Sequence, residues 1–411
     1  MEVNMNCNRE RIEEMIETLA EFTEEKNKFT RFSYTKEDIM AKKYIIQKMK
    51  DLGMEVHMDY VGNIFGRKEG KNKELPAVLI GSHLDTVKNG GKYDGIAGIV
   101  TGIEIINVLK ENNITTEYPI EVVAFAEEEG GTYGTAFLGS QWYAEKLDEK
   151  DLEKFNNDRG KNIKESVKIL DELNDKVIRC KNKEKNIRSM FELHCEQGPT
   201  LEDNNKELGI VEGITGSSSF KVELEGEANH AGTTPMGSRK DPFYTASLIS
   251  VELNNYVRKQ NRYSVGTIGN IKLEPNSYNI IPEKATFTMD IRSLDINIMK
   301  NIIEHIKEFI KKTSEKYDIK YSITKNHLEN PVQLSKELVE KLEESCKERN
   351  YNYQVMASGA GHDSIIMSEI CDTCMVFVPS KDGRSHCPEE YSKPEDIAKG
   401  GDIILDAIIK L

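Results

Sequence analysis

The chain has 411 residues, 38% of them hydrophobic and 31% charged, which is more material than one ordinary core and predicts two domains. Acidic residues outnumber basic ones by 70 to 56, for a formal charge of −14. That balance excludes nonspecific binding to nucleic acid or an anionic membrane, because phosphate neutralisation needs clustered cations. The opening MEVNMNCNRERIEEM lacks the apolar core of a signal peptide, and no later segment is apolar enough to span a bilayer. Seven cysteines without framework spacing complete the expectation of a reducing, cytoplasmic setting.

Apolar positions at helical spacing predict helices over 9–22 and 37–52. The stretch EVHMDYVGNIFGRKEG alternates and is cut by glycines, as a strand pair is. PAVLIGSHLD and PIEVVAFAEEEGG each run from a continuous apolar strand into abrupt charge, with the helical pattern IAGIVTGIEIINVLKEN between them. Strand, turn, helix and strand in this order predict an α/β sheet covered on both faces. Residues 143–190, rich in Lys and Glu with periodic apolar positions, predict solvent-facing helices that carry no chemistry.

From about residue 214 the chain changes character. SSSFKVELEGEAN, SVGTIGNIKLEP and KATFTMDIRSLD alternate, with helical patterns at 241–260 and 296–313 between them, which predicts a separate small α+β domain. After about 330 longer helices return with one buried strand, TCMVFVPS. The expected organisation is a discontinuous α/β domain, 1–213 and 329–411, interrupted by an inserted domain, 214–328.

Context sorts the eight histidines. His57 in a strand pattern, His305 in a charged amphipathic helix and His327 in a polar loop read as surface or internally satisfied residues. His83, His194, His230, His362 and His386 each lie in a Gly- or Pro-rich stretch beside an apolar run. If the strand before His83 ends there, His83 and Asp85 reach the crevice at the carboxyl ends of the sheet, where open α/β folds hold ligands. Asp94, in a glycine-flanked turn before a helix, either caps that helix or binds a metal. Glu127, Glu128 and Glu129 follow VVAFA, and three adjacent anions at a sheet edge repel unless a cation or proton offsets them. A divalent metal does so and leaves a neighbouring Glu as general base.

His194 in FELHCEQGP and His386 in PSKDGRSHCPEE complete a nitrogen/oxygen set that suits Zn²⁺, Mn²⁺, Co²⁺ or Ni²⁺. The ligands are dispersed, so no local signature such as HExxH applies. The lone CxxC pair, Cys371 and Cys374, abuts the run MVFVP and reads as buried structural thiols. There is no GxGxxG after a strand and no P-loop, which disfavours a dehydrogenase or nucleotide-binding protein. The residues alone point to a metal site and leave the reaction open.

GSHLDTVKNGGKYDG, AFAEEEGG, ELHCEQGP, GEANHAGTTPM, NIIPEKATFTMDIR, SGAGHDS and SHCPEE, in this order, resemble the allantoate amidohydrolase/N-carbamoyl-L-amino acid amidohydrolase branch of the dinuclear metallo-aminoacylase and carboxypeptidase-like hydrolases. The resemblance covers the chain from about residue 40 to its C-terminus. It implies a mixed-sheet α/β metal-hydrolase domain with an inserted α+β lid that also dimerises. It further implies two divalent ions per chain: Asp94 would bridge them, His83 and His194 would complete one site, and Glu129 and His386 the other. Asp85 would hold the His83 ring in its ligating tautomer, and Glu128 would be the general base for the attacking water. His230 and Asn279 would bind substrate and its oxyanion, Arg292 would clamp the substrate carboxylate, and Gln197 would line the pocket.

The implied activity is hydrolysis of the carbamoyl C–N bond of a carboxylate-bearing ureido compound, such as an N-carbamoyl-L-amino acid or allantoate, releasing ammonia and carbon dioxide. The implied partners are that small substrate and a second copy of the chain. An aminoacylase or dipeptidase on the same site is the near alternative. A non-catalytic binding protein on this scaffold would be expected to lack Glu128 or a ligand, and all are present. The chain departs from the pattern at Thr132-Tyr133, where relatives carry Arg-Phe, and at Cys387, where many carry Asn. Both departures are expected to bear on the pocket rather than on the ligands.

Overall fold

The apolar run that ends in His83 forms a strand buried at every residue, as a central parallel strand must be. The computed structural model describes residues 5–26, 28–180 and 186–411. In chain order its strands are β1 (Glu55–Met58), β2 (Ile64–Lys68), β3 (Ala77–His83), β4 (Ile120–Phe125), β5 (Ile178–Arg179), β6 (Ile187–Cys195), β7 (Leu208–Ile214), β8 (Gly216–Glu225), β9 (Asn229–His230), β10 (Val265–Glu274), β11 (Ile280–Ile281), β12 (Lys284–Ser293), β13 (Lys320–Glu329), β14 (Val332–Gln333), β15 (Tyr353–Ser358) and β16 (Asp372–Val378). The chain divides into two units: residues 1–212, 334–356 and 361–411 form the first, and 213–333 with 357–360 the second.

The first unit is built on a mixed sheet in the order β16-β6-β3-β4-β2-β1-β5, with β7 antiparallel to β16. Neighbours among β16, β6, β3 and β4 are parallel, whereas β2 pairs antiparallel with both β4 and β1. The carboxyl ends of four adjacent strands therefore open onto one edge, the edge at which α/β sheets hold ligands. Helices Arg9–Ala20, Ile96–Glu111 and Pro394–Ile409 pack on one another beside the sheet and share its principal core. The buried Arg31 guanidinium donates to the carbonyls of Leu84 (2.8 Å) and Leu19 (2.7 Å), fixing where the chain leaves β3.

Two expectations change here. Residues 143–190 are not solvent-facing helices: they contain short 3-10 turns and one four-residue helix, Ile163–Ser166, while 181–185 lie outside the described residues. Leu152, Ile163, Val167, Leu170 and Leu173 are buried, so the periodic apolar positions report packing into the core rather than an amphipathic surface. His327 is not in a polar loop but on β13. That strand lies at a sheet edge with nearly every side chain exposed, so its sequence carries no apolar alternation to mark it.

The second unit is a four-stranded antiparallel sheet, β10-β12-β8-β13, with helices Pro242–Val257 and Ile296–Lys316 packed on it. β8 and β12 alternate buried and partly exposed residues, as strands with one covered face do. Asp241 and Asp295 cap the two helices, each carboxylate accepting two backbone N–H groups at the helix start. The short strands β9 and β11 pair antiparallel as a separate ribbon.

Gly81 lets β3 and β4 approach: a Cβ at this position would overlap the Val123 carbonyl. Because the obstacle is backbone, Gly81→Ala is expected to destabilise the protein by about 1–3 kcal/mol, the usual penalty of overpacking. Denaturant unfolding measures it, and a variant within about 0.5 kcal/mol of wild type would refute this account.

Candidate metal centre

Four adjacent strand ends deliver the ionisable groups. His83 is the last residue of β3, Glu127–Glu129 follow β4, His194 is the penultimate residue of β6, and His386 lies in the loop after β16. Glu127, Gln197 and His386 all adopt the left-handed backbone region, φ +53°, +58° and +55°. Three non-glycine residues held there, all at one sheet edge, mark loops constrained by their surroundings.

Asp94 sits at the centre. Its side chain does not cap the following helix, whose N-cap is Gly95. Its Oδ1 lies 3.2 Å from His83 Nε2 and 3.0 Å from His194 Nε2, and its Oδ2 lies 3.1 Å from His386 Nε2 and accepts from Gln197 Nε2 at 2.8 Å. Glu129 Oε1 lies 3.6 Å from His386 Nε2, and Glu128 Oε2 lies 3.8 Å from His83 Nε2. The groups His83/Asp94/His194 and Asp94/Glu129/His386 each converge closely enough to hold one ion, and Asp94 belongs to both.

The tautomers follow from the backbone. His83 Nδ1 lies 3.0 Å from the Asp85 carbonyl, and His194 Nδ1 lies 2.9 Å from the Cys195 carbonyl. A carbonyl only accepts, so each Nδ1 carries the hydrogen and each Nε2 turns a lone pair toward Asp94. The Gly95 N–H, donating to His194 Nε2 at 3.3 Å, agrees with that assignment. Lone pairs at 3.0–3.2 Å from a carboxylate are favourable only with a cation, or an added proton, between them. Glu129 Oε1 is likewise buried without a hydrogen-bond partner among the described residues. The donor set thus fits divalent cations of the nitrogen/oxygen type.

The electrostatics lead to the same place. Burial pushes the Asp94 carboxyl up, but the imidazoles of His194, His386 and His83, once each carries the added proton, outweigh it and hold the group well below the usual carboxylate range. The hydrogen bond to Asp94, opposed by burial and aided by Glu129, pushes His386 up to about 9. Glu129 is pushed up to about 7 by burial and by Asp94. Burial also raises Glu128 well above the carboxylate range, against the pull of His83 and with Asp363, Glu129 and Asp85 adding to the rise.

Asp85 Oδ1 lies 3.9 Å from His83 Nδ1, beside the ring it is expected to hold. Its main-chain carbonyl meets the His83 ring, while its carboxylate accepts the backbone amides of Glu128 (Oδ1, 3.0 Å) and Glu129 (Oδ2, 3.2 Å). The side chain therefore shapes the turn that presents both glutamates. Glu127 turns away from the cluster: its Oε1 accepts the Thr132 and Tyr133 amides. Of the two residues that depart from the family pattern, Tyr133 is buried edge-on to Tyr34. His362, whose role the sequence leaves open, is buried with its ring edge-on to His194 at 4.5 Å between centroids. Burial, reinforced by His194, holds its pKa well below the usual histidine range.

His230, Asn279 and Arg292 belong to the second unit. His230 and Asn279 meet in the β9/β11 ribbon, where the Ala231 amide donates to the Asn279 carbonyl. His230 Nδ1 accepts from the amides of Gly232 and Thr233, so its Nε2 carries the hydrogen. Arg292, on β12, donates to Asp290 Oδ1 (2.9 Å) and to the Gly359 carbonyl (2.7 Å). Sequence reasoning missed Glu390, which is buried beside Asp94 and accepts its backbone amide. It stands in the quoted SHCPEE, but in an ordinary charge run nothing distinguishes it.

The profile of peptidase family M20/M25/M40 matches residues 79–410. An N-carbamoyl-L-amino-acid amidohydrolase of Pseudomonas sp. (strain NS671) is 41% identical over 99% of both chains. The allantoate amidohydrolase of Escherichia coli (strain K12) is 35% identical over 95% of each. Among solved structures, a hydantoinase/carbamoylase-family amidase from Burkholderia multivorans superposes with a TM-score of 0.93 at 28% identity, covering 99% of this chain and 98% of that one.

Asp85→Asn would set an NH₂ group against a backbone amide donor while keeping the side chain's shape. Metal affinity, measured by competition with a chelator, is expected to fall about 10–100-fold while the circular dichroism spectrum is retained. Unchanged affinity would refute the role given to this carboxylate.

Proposed function

We propose, from the premise that this chain belongs to peptidase family M20/M25/M40, that it is a metal-dependent amidohydrolase that cleaves the carbamoyl C–N bond of a carboxylate-bearing ureido compound, such as an N-carbamoyl-L-amino acid or allantoate. The observation that carries the reading is the shared Asp94 carboxylate facing three imidazoles, with Glu129 completing the ring of donors and Glu128 beside it. His83, Asp94 and His194 would hold one divalent ion, and Asp94, Glu129 and His386 a second, drawn from Zn²⁺, Mn²⁺, Co²⁺ and Ni²⁺. Bound there, the ions supply Lewis acidity toward a ureido carbonyl, a poor electrophile, and lower the pKa of water.

The chain's own groups do the rest. Glu128, buried and drawn toward neutrality by its surroundings, takes a proton from the attacking water and delivers it to the leaving nitrogen. His230 Nε2–H and Asn279 donate to the oxygen that gains charge. Arg292 presents a planar fork to the substrate carboxylate, and Gln197 orders the Asp94 and His386 side chains on the pocket side. One water is consumed, and the products are the free amine compound, carbon dioxide and ammonia.

The second unit is read as a lid that pairs two chains. Phe243, Tyr244 and Val251 on its Pro242–Val257 helix, and Val265 and Ile271 on edge strand β10, are exposed apolar residues. An unpaired edge strand beside exposed apolar side chains is a surface that a second copy would cover. All seven cysteines are free, which supports the reading of a reducing, cytoplasmic setting. Among the described residues no helix is long and apolar enough to cross a membrane.

Ammonia release from allantoate, N-carbamoyl-L-amino acids and ureidoglycolate tests the reaction, using protein stripped of metal and reloaded with each ion. Turnover of a ureido substrate is expected, with Glu128→Gln at least about 100-fold slower. Turnover of N-acetyl-amino acids alone would move the protein to the aminoacylases. Sedimentation should give a dimer, and Val251→Glu with Ile271→Lys should shift it toward monomer; a monomeric wild type would refute the pairing.

A further inference from the structure

Glu390 is 2% exposed and converges with Asp94 and Cys195 beside the ligands, both its oxygens engaged in hydrogen bonds. Its Oε1 accepts the backbone amides of Tyr93 (2.9 Å) and Asp94 (3.0 Å), and its Oε2 accepts the Ser385 hydroxyl. That hydroxyl also lies 3.3 Å from Asp94 Oδ2, and Ser385 immediately precedes His386. One buried carboxylate thus joins the turn that carries Asp94 to the loop that carries His386. The turn is shaped for it: a Cβ on Gly91 would overlap the Glu390 carboxylate. His83 and His194 need no such tie, because they sit on β3 and β6 with their rings held by main-chain carbonyls. His386 has neither advantage: its loop follows β16 and its backbone is in the left-handed region.

We propose that Glu390 is a positioning residue that ties the Asp94 turn to the His386 loop and so sets the geometry of the Asp94/Glu129/His386 ion, leaving the His83/Asp94/His194 ion largely independent of it. The inference rests on the two-ion reading above. It predicts an asymmetry that a general structural role does not, since loss of the tie should weaken one ion and spare the other. It also predicts that geometry, not charge, is what matters. Glutamine at 390 can still accept the two amides through Oε1 and can donate to Ser385 Oγ through Nε2.

The test uses the full chain stripped of metal. Hydrogen exchange of peptides spanning 88–98 and 383–388 reads the tie itself, and Zn²⁺ titration against a fluorescent chelator reads its consequence. In Glu390→Ala both segments should exchange at least about 10-fold faster, one Zn²⁺ should bind about 10–100-fold more weakly, and the other should stay within about threefold of wild type. Glu390→Gln should return all three readings to within about threefold of wild type. Unchanged exchange in Glu390→Ala, equal weakening of both ions, or a Gln variant that behaves like Ala would each overturn the proposal. A wild type that binds a single Zn²⁺ would sink the two-ion reading alone. The tie would then stand or fall on whether Glu390→Ala speeds exchange and Gln restores it. Should Glu390→Ala fail to fold, Ser385→Ala cuts the link to the His386 loop by itself and should weaken the same single ion; unchanged binding would overturn the proposal.

Discussion

Everything at the sheet edge is arranged around one electrostatic conflict. Asp94 is a buried carboxylate faced by nitrogen lone pairs at 3.0–3.2 Å, and the main-chain carbonyls on the far sides of His83 and His194 prevent those rings from turning their N–H groups inward. The carboxylate and both rings are buried, so bulk solvent screens the conflict little. Only positive charge placed among these atoms resolves the conflict, by proton or by metal ion. The raised pKa of His386 and the depressed one of Asp94 are what protein groups alone achieve. Two divalent cations would compensate the same acids more completely, without charging the imidazoles.

The fold supplies this arrangement at low entropic cost. Four neighbouring parallel strands end together, so residues distant in the chain meet without long ordered loops. Where a loop must contribute, extra constraint appears. Asp85 accepts the amides of the Glu128–Glu129 turn, Arg31 grips the carbonyl beside His83, and Glu390 holds the amide of Asp94. Each is a charged side chain buried against main-chain groups, so each position of the chemistry is set by backbone rather than by contact with a neighbouring rotamer.

Much of this was legible in the chain. A continuous apolar run that stops at His83, and another that stops at Glu127, betray buried parallel strands because both faces are covered and no alternation is needed. Ionisable groups at those stops had to lie at the sheet edge, and His83, Asp94, Glu129, His194 and His386 do lie together there. What the pattern hid has physical reasons. β13 is exposed on nearly every side chain, so nothing in its sequence alternates. Residues 150–175 use periodic leucines and isoleucines for core contact while the backbone runs in short turns, so periodicity alone misread them. Glu390 and Arg31 act through backbone atoms, and no residue type at the partner position signals such a bond. The same applies to the carboxylate of Asp85, which accepts two amides while lying 3.9 Å from the His83 ring nitrogen.

The main-chain caps on His83 and His194 have a consequence for how such a protein can evolve. A histidine oriented by a neighbouring aspartate loses its orientation whenever that aspartate drifts. Here the acceptors are the carbonyls of residues 85 and 195, present whatever side chains those positions carry. No single codon change can delete them; only displacement of β3 or β6 could. The orientation of the two rings is thereby independent of which side chains stand at 85 and 195. Loops after the same strands, such as the one carrying Thr132 and Tyr133, can then diversify without dismantling the centre they surround.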